Sequence, residues 1–319
     1  MKRILITGIT GFVGKHLATY LLSQNSYEIV GTYRSESSLE TIGTIRDQIQ
    51  FKKIDLNDAQ AVESLVLSTK PDVIFHLAAQ ASPSKSFSFP VETFTNNIVA
   101  EFSLLDVLRK HKLTNIRVVV ISSADIYGVI TPHDIPVAEN TPLRPATPYA
   151  VSKIAQDFLS YQHFLAYQLD IVRLRPYNHI GPGQKEGYVV ADFAKQIAEI
   201  EKGKKDDTIT VGNLQAKRDF TDVRDIVKAY ALTMEKGKSG DVYNLGSGKS
   251  HKIEDVLKTL LSFSTKKISV KVDQTRFRPI DVPEIRCDSS KFHELTGWEP
   301  AIPFEKTLED ILDYWRDVV

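Results

Sequence analysis

Short apolar runs, rich in β-branched residues, alternate with longer segments of helical period in the first half of the chain. The runs occupy residues 3–7, 28–33, 51–55, 72–77, 117–122 and 171–174. Their length and composition predict strands, and the segments between them predict crossover helices. Because strands that alternate with helices build a parallel sheet with helices on both faces, the sequence predicts an α/β fold with a doubly wound parallel sheet.

The pattern changes after Pro176. Residues 177–183 are rich in Gly, Pro and Asn, which marks a loop, and shorter mixed elements follow as far as a C-terminal helix. The run at 241–246 is apolar again and predicts a buried strand that returns to the main sheet. We therefore expect one domain over residues 1–175, with a return strand within 219–246, and a smaller C-terminal lobe over residues 176–319.

Composition and charge narrow the possible classes of function. Of 319 residues, 42% are apolar, and the 40 basic residues balance the 40 acidic ones. A neutral chain has no overall field to attract nucleic acid or an anionic membrane, and no window approaches the ~18 apolar residues of a membrane span. The single cysteine, Cys287, excludes an intramolecular disulfide, so a cytoplasmic location is expected. No grouping of His, Cys and carboxylates has metal-ligand spacing, so no metal is expected.

A glycine-rich loop follows the first predicted strand and opens a helix. The spacing of its glycines permits a tight turn, a close approach of the backbone to a pyrophosphate, and close packing of the helix on the strand. The phosphates then lie at the positive end of the helix. A loop whose glycines only allow a turn is the alternative. We predict a Rossmann-type dinucleotide site whose contacts include Gly8, Thr10, Gly11, Phe12, Val13 and Gly14.

The end of the second predicted strand distinguishes between the two nicotinamide cofactors. An NAD enzyme presents Asp or Glu there to the adenine ribose, whereas this chain has Thr32, Arg34 and Ser35. These side chains can bind a 2′-phosphate, and Arg34 adds a charge-assisted fork; a solvated surface arginine is the alternative. NADP(H) is therefore predicted ahead of NAD(H). Further cofactor contacts, with packing at strand ends as the alternative, are predicted at Asp55, Leu56, Leu77, Ala78 and Ala79.

Tyr149 and Lys153 lie near the start of a predicted helix, with Thr147 as its N-cap and Pro148 in its first turn. Residues four apart share one helix face, so the Lys153 ammonium is expected near the Tyr149 phenol, where a cation would lower the pKa of the phenol. Ser123 ends the fifth predicted strand, at the edge where open α/β sheets bind ligands. Its hydroxyl can donate to a substrate oxygen that gains negative charge; a strand-end cap is the alternative.

The ordered set of the glycine loop, Ser123, Tyr149 and Lys153 resembles the extended short-chain dehydrogenase/reductases along essentially the whole chain. The segments 175–184, 190–197 and 218–225 look like those of the GDP-6-deoxy-4-keto-mannose reductases, close kin of the GDP-mannose 4,6-dehydratases. The resemblance implies an NADP(H)-binding domain and a substrate-binding lobe that holds a GDP-linked sugar. It also implies contacts to the diphosphate, the base and its ribose from Asn178, Arg218, Arg278, Val189, Asp192 and Asp281.

The arginines of the lobe have a second interpretation. Arginines in loops rich in Gly and Pro suit bidentate binding of phosphate. Arg218 and Arg224 are also interleaved with aspartates at 219, 222 and 225, so a salt-bridged cluster is the alternative. We interpret Arg218 and Arg278 as substrate contacts and Arg224 as a structural residue.

Asp125 bears on the choice between reduction and dehydration. The resemblance places the C5 base of the dehydratases, normally a Glu, two residues before Tyr127, where this chain has Asp125. The shorter side chain withdraws the carboxylate by about 1 Å, and such a misplacement costs about a hundredfold in rate. The shortened side chain therefore favours reduction, which needs no carboxylate there, and Asp125 is the candidate catalytic base only if the chain is a dehydratase.

The expected activity is NADPH-dependent reduction of the 4-keto group of a nucleotide-linked 6-deoxy sugar. The expected substrate is GDP-4-keto-6-deoxy-D-mannose, and the expected product is a GDP-6-deoxyhexose of the GDP-D-rhamnose type. A GDP-sugar 4,6-dehydratase with bound NADP⁺ is the alternative. A non-catalytic regulator that binds NADP(H) is a more distant one, because it would not require Ser123, Tyr149 and Lys153 to be intact.

Helix-period stripes of apolar residues have two interpretations. The resemblance assigns them to a homodimer formed through a helix bundle, and the pattern alone assigns them to the core; they contain Leu104, Leu105, Leu108, Ala155, Phe158 and Leu159. His76 is interpreted as a core histidine, and His179 is left open between packing and substrate contact. Trp298 and Trp315 are expected in the core of the smaller lobe.

Overall fold

The computed structural model of the chain describes residues 1–277 and 280–319. Its strands, numbered along the chain, are β1 (Lys2–Thr7), β2 (Tyr27–Tyr33), β3 (Gln50–Lys53), β4 (Val73–His76), β5 (Arg117–Ile121), β6 (Ile171–Pro176), β7 (Asn178–Ile180), β8 (Thr208–Val211), β9 (Lys217–Asp222), β10 (Val242–Leu245), β11 (Ser250–Lys252), β12 (Ser269–Val272) and β13 (Glu284–Ile285).

Seven of these strands form a parallel sheet in the order β10-β6-β5-β4-β1-β2-β3. Ile4, Leu5 and Ile6 of β1 are all fully buried, because helices cover both faces of the sheet at its central strands. The predicted doubly wound α/β fold is confirmed.

The helices, numbered likewise, are α1 (Phe12–Ser23), α2 (Glu36–Leu39), α3 (Ala59–Thr69), α4 (Pro83–Ser88), α5 (Pro90–Phe94), α6 (Ala100–Lys110), α7 (Pro148–Tyr167), α8 (Val189–Glu201), α9 (Val223–Lys236), α10 (Ile253–Ser262), α11 (Ser290–Thr296) and α12 (Phe304–Val318). One face of the sheet packs against α1, α9 and α11. The other packs against α3 and α6, with α7 beside them.

The segment that returns to the main sheet is shorter than the expected range of 219–246. Only β10 joins the sheet, where it pairs in parallel with β6. The first residues of that range belong instead to β9, which lies in a second sheet between β11 and β13 and also pairs with β7. The helix α9 between them packs on the main domain against α1, so the chain crosses between the two parts several times after Pro176.

The smaller lobe has its own hydrophobic core. The helices α8, α10 and α12 pack around the second sheet and the β8–β12 pair, and Trp315 lies in this core as expected. Trp298 does not, and its expected place was wrong. It packs against Phe292 with ring centroids 5.8 Å apart, in the core under the main sheet. Its indole N–H donates to the carbonyl of Asp225 over 3.1 Å, which ties the segment after α11 to α9.

The apolar stripe on α6 is buried and does not lie on the surface of the chain. Leu104, Leu105 and Leu108 are fully buried within the subunit, because α6 packs this face on the sheet. Phe158, in the stripe on α7, is exposed, and so is Phe102 on α6, which the sequence analysis did not name. Across the described ranges, no helix combines the length and the hydropathy that crossing a membrane requires.

Candidate functional site

A cavity of about 700 Å³ opens at the carboxyl ends of the central strands. Its walls come from the glycine loop after β1, the ends of β4, β5 and β6, the start of α7, and the segments of the smaller lobe that precede α8 and β13. The site therefore lies between the two parts of the chain, at the edge where open α/β sheets bind ligands.

The glycine loop has the conformation that its spacing predicts. Gly8 has a φ of +69°, and a Cβ atom there would lie 2.9 Å from the Cα atom of Ala78. A Cβ atom at Gly14 would lie 2.7 Å from the carbonyl oxygen of Gly8. Gly11 is the N-cap of α1 and, as a glycine, has no side chain to accept a hydrogen bond from the first turn. The first-turn amides of α1 can therefore bind an anion at the cavity wall.

Most of the predicted cofactor contacts line this cavity, and some do not. Thr10, Phe12, Val13, Leu77 and Ala79 line it together with the three glycines. Ala78 was expected beside them but lies beneath Gly8, where its amide donates to the Thr7 hydroxyl over 3.2 Å. It supports the loop by packing, and its contact with the cofactor stays a prediction.

The end of β2 corrects part of the prediction for the 2′-phosphate. Thr32 is 2% exposed, and its hydroxyl accepts a hydrogen bond from the Gly8 amide over 3.1 Å. It therefore holds the glycine loop and does not face a ligand. Arg34 is exposed and lines a separate, shallow depression. Its guanidinium donates to the Asn96 side chain over 3.4 Å, so its charge remains available to an anion.

Asp55 and Leu56 do not reach the main cavity. The Asp55 carboxylate accepts two hydrogen bonds from Asn57, one from the amide and one from the side chain, each 3.0 Å long. Leu56 packs into the core beneath α3 and α6. Asn57 lines the depression beside Arg34, and the sequence pattern gave no signal for it beyond its place after β3.

The predicted catalytic residues converge on one wall of the cavity. Ser123, Asp125, Tyr149 and Lys153 all line it, because Ser123 and Asp125 follow β5 while the other two lie in the first turns of α7. Thr147 caps α7 as predicted, and its hydroxyl accepts a hydrogen bond from the Ala150 amide over 3.0 Å. The cap fixes where the helix begins, and with it the places of Tyr149 and Lys153.

The pKa of Tyr149 moves in the direction opposite to the prediction. Burial raises it, the negative charge of Asp125 and the neighbouring Tyr188 raise it further, and only a hydrogen bond with the Ser123 hydroxyl opposes them. The Lys153 ammonium lies 6.0 Å from the centre of the Tyr149 ring. It is directed at the carbonyl of Ile121, to which it donates over 2.8 Å. The phenol therefore stays protonated at neutral pH, as a proton donor must be.

Both predicted roles of Ser123 have structural support. Its hydroxyl accepts a hydrogen bond from the Asp125 amide over 3.1 Å and caps the short 3₁₀ helix Ala124–Tyr127. The same hydroxyl lies at the cavity and next to the Tyr149 phenol. Two hydroxyl groups are thus placed side by side, so that one carbonyl oxygen of a ligand can accept hydrogen bonds from both.

In the lobe, four of the residues that the resemblance implied line the cavity: Asn178, Val189, Arg218 and Asp281. Arg218 forms an ion pair with Asp281 and also donates to the carbonyl of Val282 over 2.7 Å. Asp192 does not line the cavity. Its carboxylate accepts a hydrogen bond from the Gly187 amide over 2.6 Å, which fixes the turn before α8. Arg278 lies outside the described residues.

Arg224 has the structural contacts that were preferred for it. It pairs with Asp222 over 2.6 Å and with Asp310 over 2.7 Å, and so links the start of α9 to α12. His179 lines the cavity and stacks on Phe12 with ring centroids 6.3 Å apart. Within the described ranges, no group of three or more His, Cys, Asp or Glu side chains has the arrangement of a metal site.

Several cavity residues escaped the sequence analysis. Lys15 and Lys185 approach each other at the wall, and burial together with the charge of Lys185 lowers the pKa of Lys15. Tyr188, just before α8, lines the cavity and donates to the carbonyl of Ala81 over 3.3 Å. The position of Lys15 directly after the glycine loop was an available signal. Lys185 and Tyr188 join the site only through the packing of the lobe.

Comparison with known proteins gives consistent matches over the whole chain. The model of the GDP-mannose 4,6 dehydratase family matches residues 5–311. The chain is 30% identical to the GDP-6-deoxy-D-mannose reductase of Pseudomonas aeruginosa, over 100% of this chain and 98% of the relative. It is 31% identical to GDP-mannose 4,6 dehydratase 2 of Arabidopsis thaliana, over 98% and 86%.

Solved structures agree with these matches. The structure of RMD from Pseudomonas aeruginosa complexed with NADPH is similar with a TM-score of 0.88 and 30% identity, and covers 100% of both chains. UDP-glucose 4-epimerase from Thermotoga maritima is similar with a TM-score of 0.87 and 27% identity, over 99% of each chain.

Proposed function

The chain belongs to the GDP-mannose 4,6-dehydratase family, and we propose that it is an NADPH-dependent nucleotide-sugar 4-ketoreductase. The proposed reaction converts GDP-4-keto-6-deoxy-D-mannose to a GDP-6-deoxyhexose of the GDP-D-rhamnose type. The observation that carries the proposal is the Tyr149 phenol, which lies buried beside the Ser123 hydroxyl at the cavity wall, with Lys153 one helical turn further along α7 at the same wall. The similar reductase from Pseudomonas aeruginosa supports the choice of reaction and sugar.

The residues at the cavity fit the cofactor. The uncapped first turn of α1 offers backbone amides for the pyrophosphate, and Gly8 and Gly11 have no side chains to block its approach. The end of β2 carries Arg34 and lacks the carboxylate that favours NAD(H). The NADPH complex of the similar structure agrees with this choice.

NADPH, when bound, supplies the hydride that the keto carbon C4 receives. The chain positions the keto group and provides the proton. The Ser123 hydroxyl donates to the keto oxygen and stabilises the negative charge that develops there. Tyr149 donates its phenolic proton to the same oxygen, so that a hydride and a proton together convert the ketone into an alcohol.

The phenolate that remains on Tyr149 needs a positive charge nearby. The Lys153 ammonium is 6.0 Å from the ring centre and is held by the Ile121 carbonyl. Opposite charge at this range favours the ionised phenol after the proton has left. Proton uptake from solvent then restores Tyr149 for the next turnover.

A 4,6-dehydratase is the second candidate function, because Asp125 lines the cavity and its charge acts on Tyr149. In that reaction the Asp125 carboxylate would remove the proton at C5, and the cofactor would be recycled without net consumption. Dehydratases among the relatives support this alternative. Asp125→Asn separates the two, because it would abolish dehydration and leave ketone reduction within a few-fold of the original rate.

The assembly and location belong to the same proposal. We infer a homodimer formed by the exposed apolar faces of α6 and α7, where Phe102 is 47% exposed and Phe158 is 50% exposed. A bundle of four helices, two from each subunit, would cover these rings. The single cysteine supports a cytoplasmic location.

The test of the activity follows NADPH oxidation by its near-ultraviolet absorbance. GDP-4-keto-6-deoxymannose is generated in place by a separate dehydratase, and GDP-mannose alone is the control. Rapid oxidation with the keto sugar, abolished by Tyr149→Phe, is the expected result. Conversion of GDP-mannose to a keto sugar by this protein alone, without NADPH oxidation, would overturn the reductase proposal in favour of the dehydratase.

A further inference from the structure

A tyrosine of α9 borders the cavity from the core of the main domain. Tyr230 is fully buried, and it packs in the hydrophobic core with side chains of the central sheet and α1. It is also one of the residues that line the cavity. A side chain of the core therefore meets the site where cofactor and substrate are proposed to bind.

The hydroxyl group of Tyr230 is not used by the fold. It is buried and has no hydrogen-bond partner among the described residues. Other polar side chains at the same ends of the strands have partners. The Thr7 hydroxyl is bonded to His76 over 3.0 Å, and the Ser122 hydroxyl donates to the carbonyl of Lys153 over 3.4 Å. Because a buried hydroxyl without a partner costs free energy, packing alone accounts for the Tyr230 ring but not for its oxygen.

Tyr230 reaches the cavity from the side of the predicted cofactor contacts. Phe12, Val13 and Leu77 line the cavity, and all three pack against the core that contains Tyr230. Arg218, one of the substrate contacts that the resemblance implied, lies instead on β9 of the smaller lobe. The Tyr230 hydroxyl is therefore expected to meet the cofactor and not the sugar nucleotide.

Tyr230 also lies close to the proposed proton donor. Burial raises the pKa of Tyr230, and the nearby Tyr149 phenol raises it further, although no hydrogen bond joins the two. In the proposed reaction, the carbon that gives up the hydride must come within about 3–3.5 Å of the keto carbon, whose oxygen is bonded to Tyr149. The nicotinamide carboxamide is attached to the neighbouring ring carbon, so it too must come close to Tyr149.

We propose that the Tyr230 hydroxyl forms a hydrogen bond with the carboxamide of the bound nicotinamide and thereby fixes the orientation of that ring. The inference rests on the NADPH-dependent function proposed above. The carboxamide is the one hydrogen-bonding group of the ring, and a phenol can donate to its carbonyl or accept from its amide. A rotation of the ring that turned its other face to the keto carbon would break this bond. Tyr230 is thus a cofactor-binding residue that takes no part in the proton transfer.

The first test measures cofactor affinity by isothermal titration calorimetry. Tyr230→Phe removes the hydroxyl and keeps the ring, so the affinity for NADPH is expected to fall about fivefold or more. The second ligand is 2′-phospho-ADP-ribose, which is the cofactor without its nicotinamide. Its affinity is expected to stay within about twofold of the wild-type value, because the hydrogen bond that the variant loses is made to the nicotinamide.

Tyr243→Phe is the matched control. Tyr243 lies in the same core but does not line the cavity, and its hydroxyl makes hydrogen bonds with the amide of Lys238 and the carboxylate of Asp241. The control should therefore lower the midpoint of urea unfolding and leave the NADPH affinity unchanged. Tyr230→Phe should do the reverse, because the hydroxyl that it removes has no partner in the fold. Its midpoint without cofactor should equal or exceed that of the wild type.

Two results of the titrations overturn the inference. One is an unchanged NADPH affinity in Tyr230→Phe. The other is an equal loss of affinity for NADPH and for 2′-phospho-ADP-ribose, which would place the effect of the hydroxyl away from the nicotinamide. Both affinities are measured without a keto sugar, so a protein that binds NADPH but reduces no ketone would contradict the proposed reaction and not the role of Tyr230.

A second measurement observes the hydroxyl in the wild-type protein. Its tyrosines are labelled with ¹³C at the Cζ carbon, and the resonance of Tyr230 is identified by its loss from the spectrum of Tyr230→Phe. NADP⁺ is expected to shift this resonance, because a new hydrogen bond changes the shielding of the carbon that bears the hydroxyl. The ligand 2′-phospho-ADP-ribose is expected to leave it in place. A Tyr230 resonance that NADP⁺ does not shift would contradict the proposed hydrogen bond.

Discussion

The Lys153 ammonium donates a hydrogen bond to the main-chain carbonyl of Ile121 over 2.8 Å, across the end of β5. This bond directs the charge toward the floor of the site and holds it 6.0 Å from the Tyr149 ring. In the proposed mechanism, Lys153 therefore acts on Tyr149 through space and not through a hydrogen bond to the phenol. The arrangement suits a phenol that must first donate a proton and then carry a negative charge.

Replacement of Lys153 tests this relationship. Lys153→Met keeps the length of the side chain but removes its charge, so kcat/KM for ketone reduction is expected to fall about a hundredfold or more. Lys153→Arg is the control that retains a cation and should recover part of the rate. Stopped-flow measurement of NADPH oxidation reports both. A Met variant within threefold of the wild type would show that the charge is not used.

Two glycine-to-alanine substitutions, one in the glycine loop and one outside it, are predicted to have different effects. Gly8→Ala combines a positive φ with a Cβ atom 2.9 Å from the backbone of Ala78. Gly203→Ala has a similar φ of +70° and open space around the added atom. The control should lose about 1–2 kcal/mol of the free energy of unfolding from backbone strain alone. Gly8→Ala should lose more than that and also bind NADPH at least tenfold more weakly. Urea unfolding and fluorescence titration measure the two effects, and equal losses in both variants would contradict the close approach.

Arg34 is predicted to select the phosphorylated cofactor. Its exposed guanidinium at the end of β2 can bind the 2′-phosphate, whereas NADH has no such group. Arg34→Ala is therefore expected to weaken NADPH binding about tenfold and to leave NADH binding unchanged. Arg46→Ala, which removes an exposed arginine elsewhere in the same region, serves as the control. Fluorescence titration with both cofactors measures the two affinities. An equal loss of affinity for NADPH and NADH would show that Arg34 does not bind the 2′-phosphate.

His76 gives the structure a pH-dependent stability. Burial lowers its pKa to about 3, whereas the unfolded chain binds the proton near pH 6.5. The unfolded state therefore holds more protons between these values, and stability is lost as the pH falls below 6.5. Between pH 6.5 and 5 the contribution of this one group is about 2 kcal/mol.

His76→Gln removes that contribution. The difference in the free energy of unfolding between pH 7 and pH 5 should therefore be smaller in the variant than in the wild type. His133→Gln, at an exposed position, should keep the wild-type difference. Urea denaturation at the two pH values measures each, and the same acid loss in His76→Gln as in the wild type would show that His76 is protonated in the fold.

The proposed homodimer depends on the exposed rings of α6 and α7. Phe158→Glu places a charge in the centre of that face and is expected to yield monomers at micromolar concentration. Val272→Glu introduces the same charge on β12, where the side chain is 53% exposed, and should leave the assembly intact. Light scattering after gel filtration measures the mass of each variant. A wild-type protein that is already monomeric would exclude the proposed interface.

Local patterns in the sequence determined the architecture. The apolar runs become six strands of the central sheet within two residues at each end. The spacing of Gly8, Gly11 and Gly14 determined the loop, because the conformation of a tight turn depends on neighbouring residues. Thr147 and Pro148 determined the start of α7 for the same reason, and with it the common face of Tyr149 and Lys153.

The tertiary structure determined the pKa shifts at the site and which residues line the cavity. The pKa of Tyr149 rises because of burial and the negative charge of Asp125, and a four-residue spacing reports neither of them. Tyr230 meets the cavity from α9, and Lys185 and Tyr188 reach the cavity only when the lobe packs on the main domain. Burial and charge depend on elements that are distant along the chain, so no local pattern could supply them.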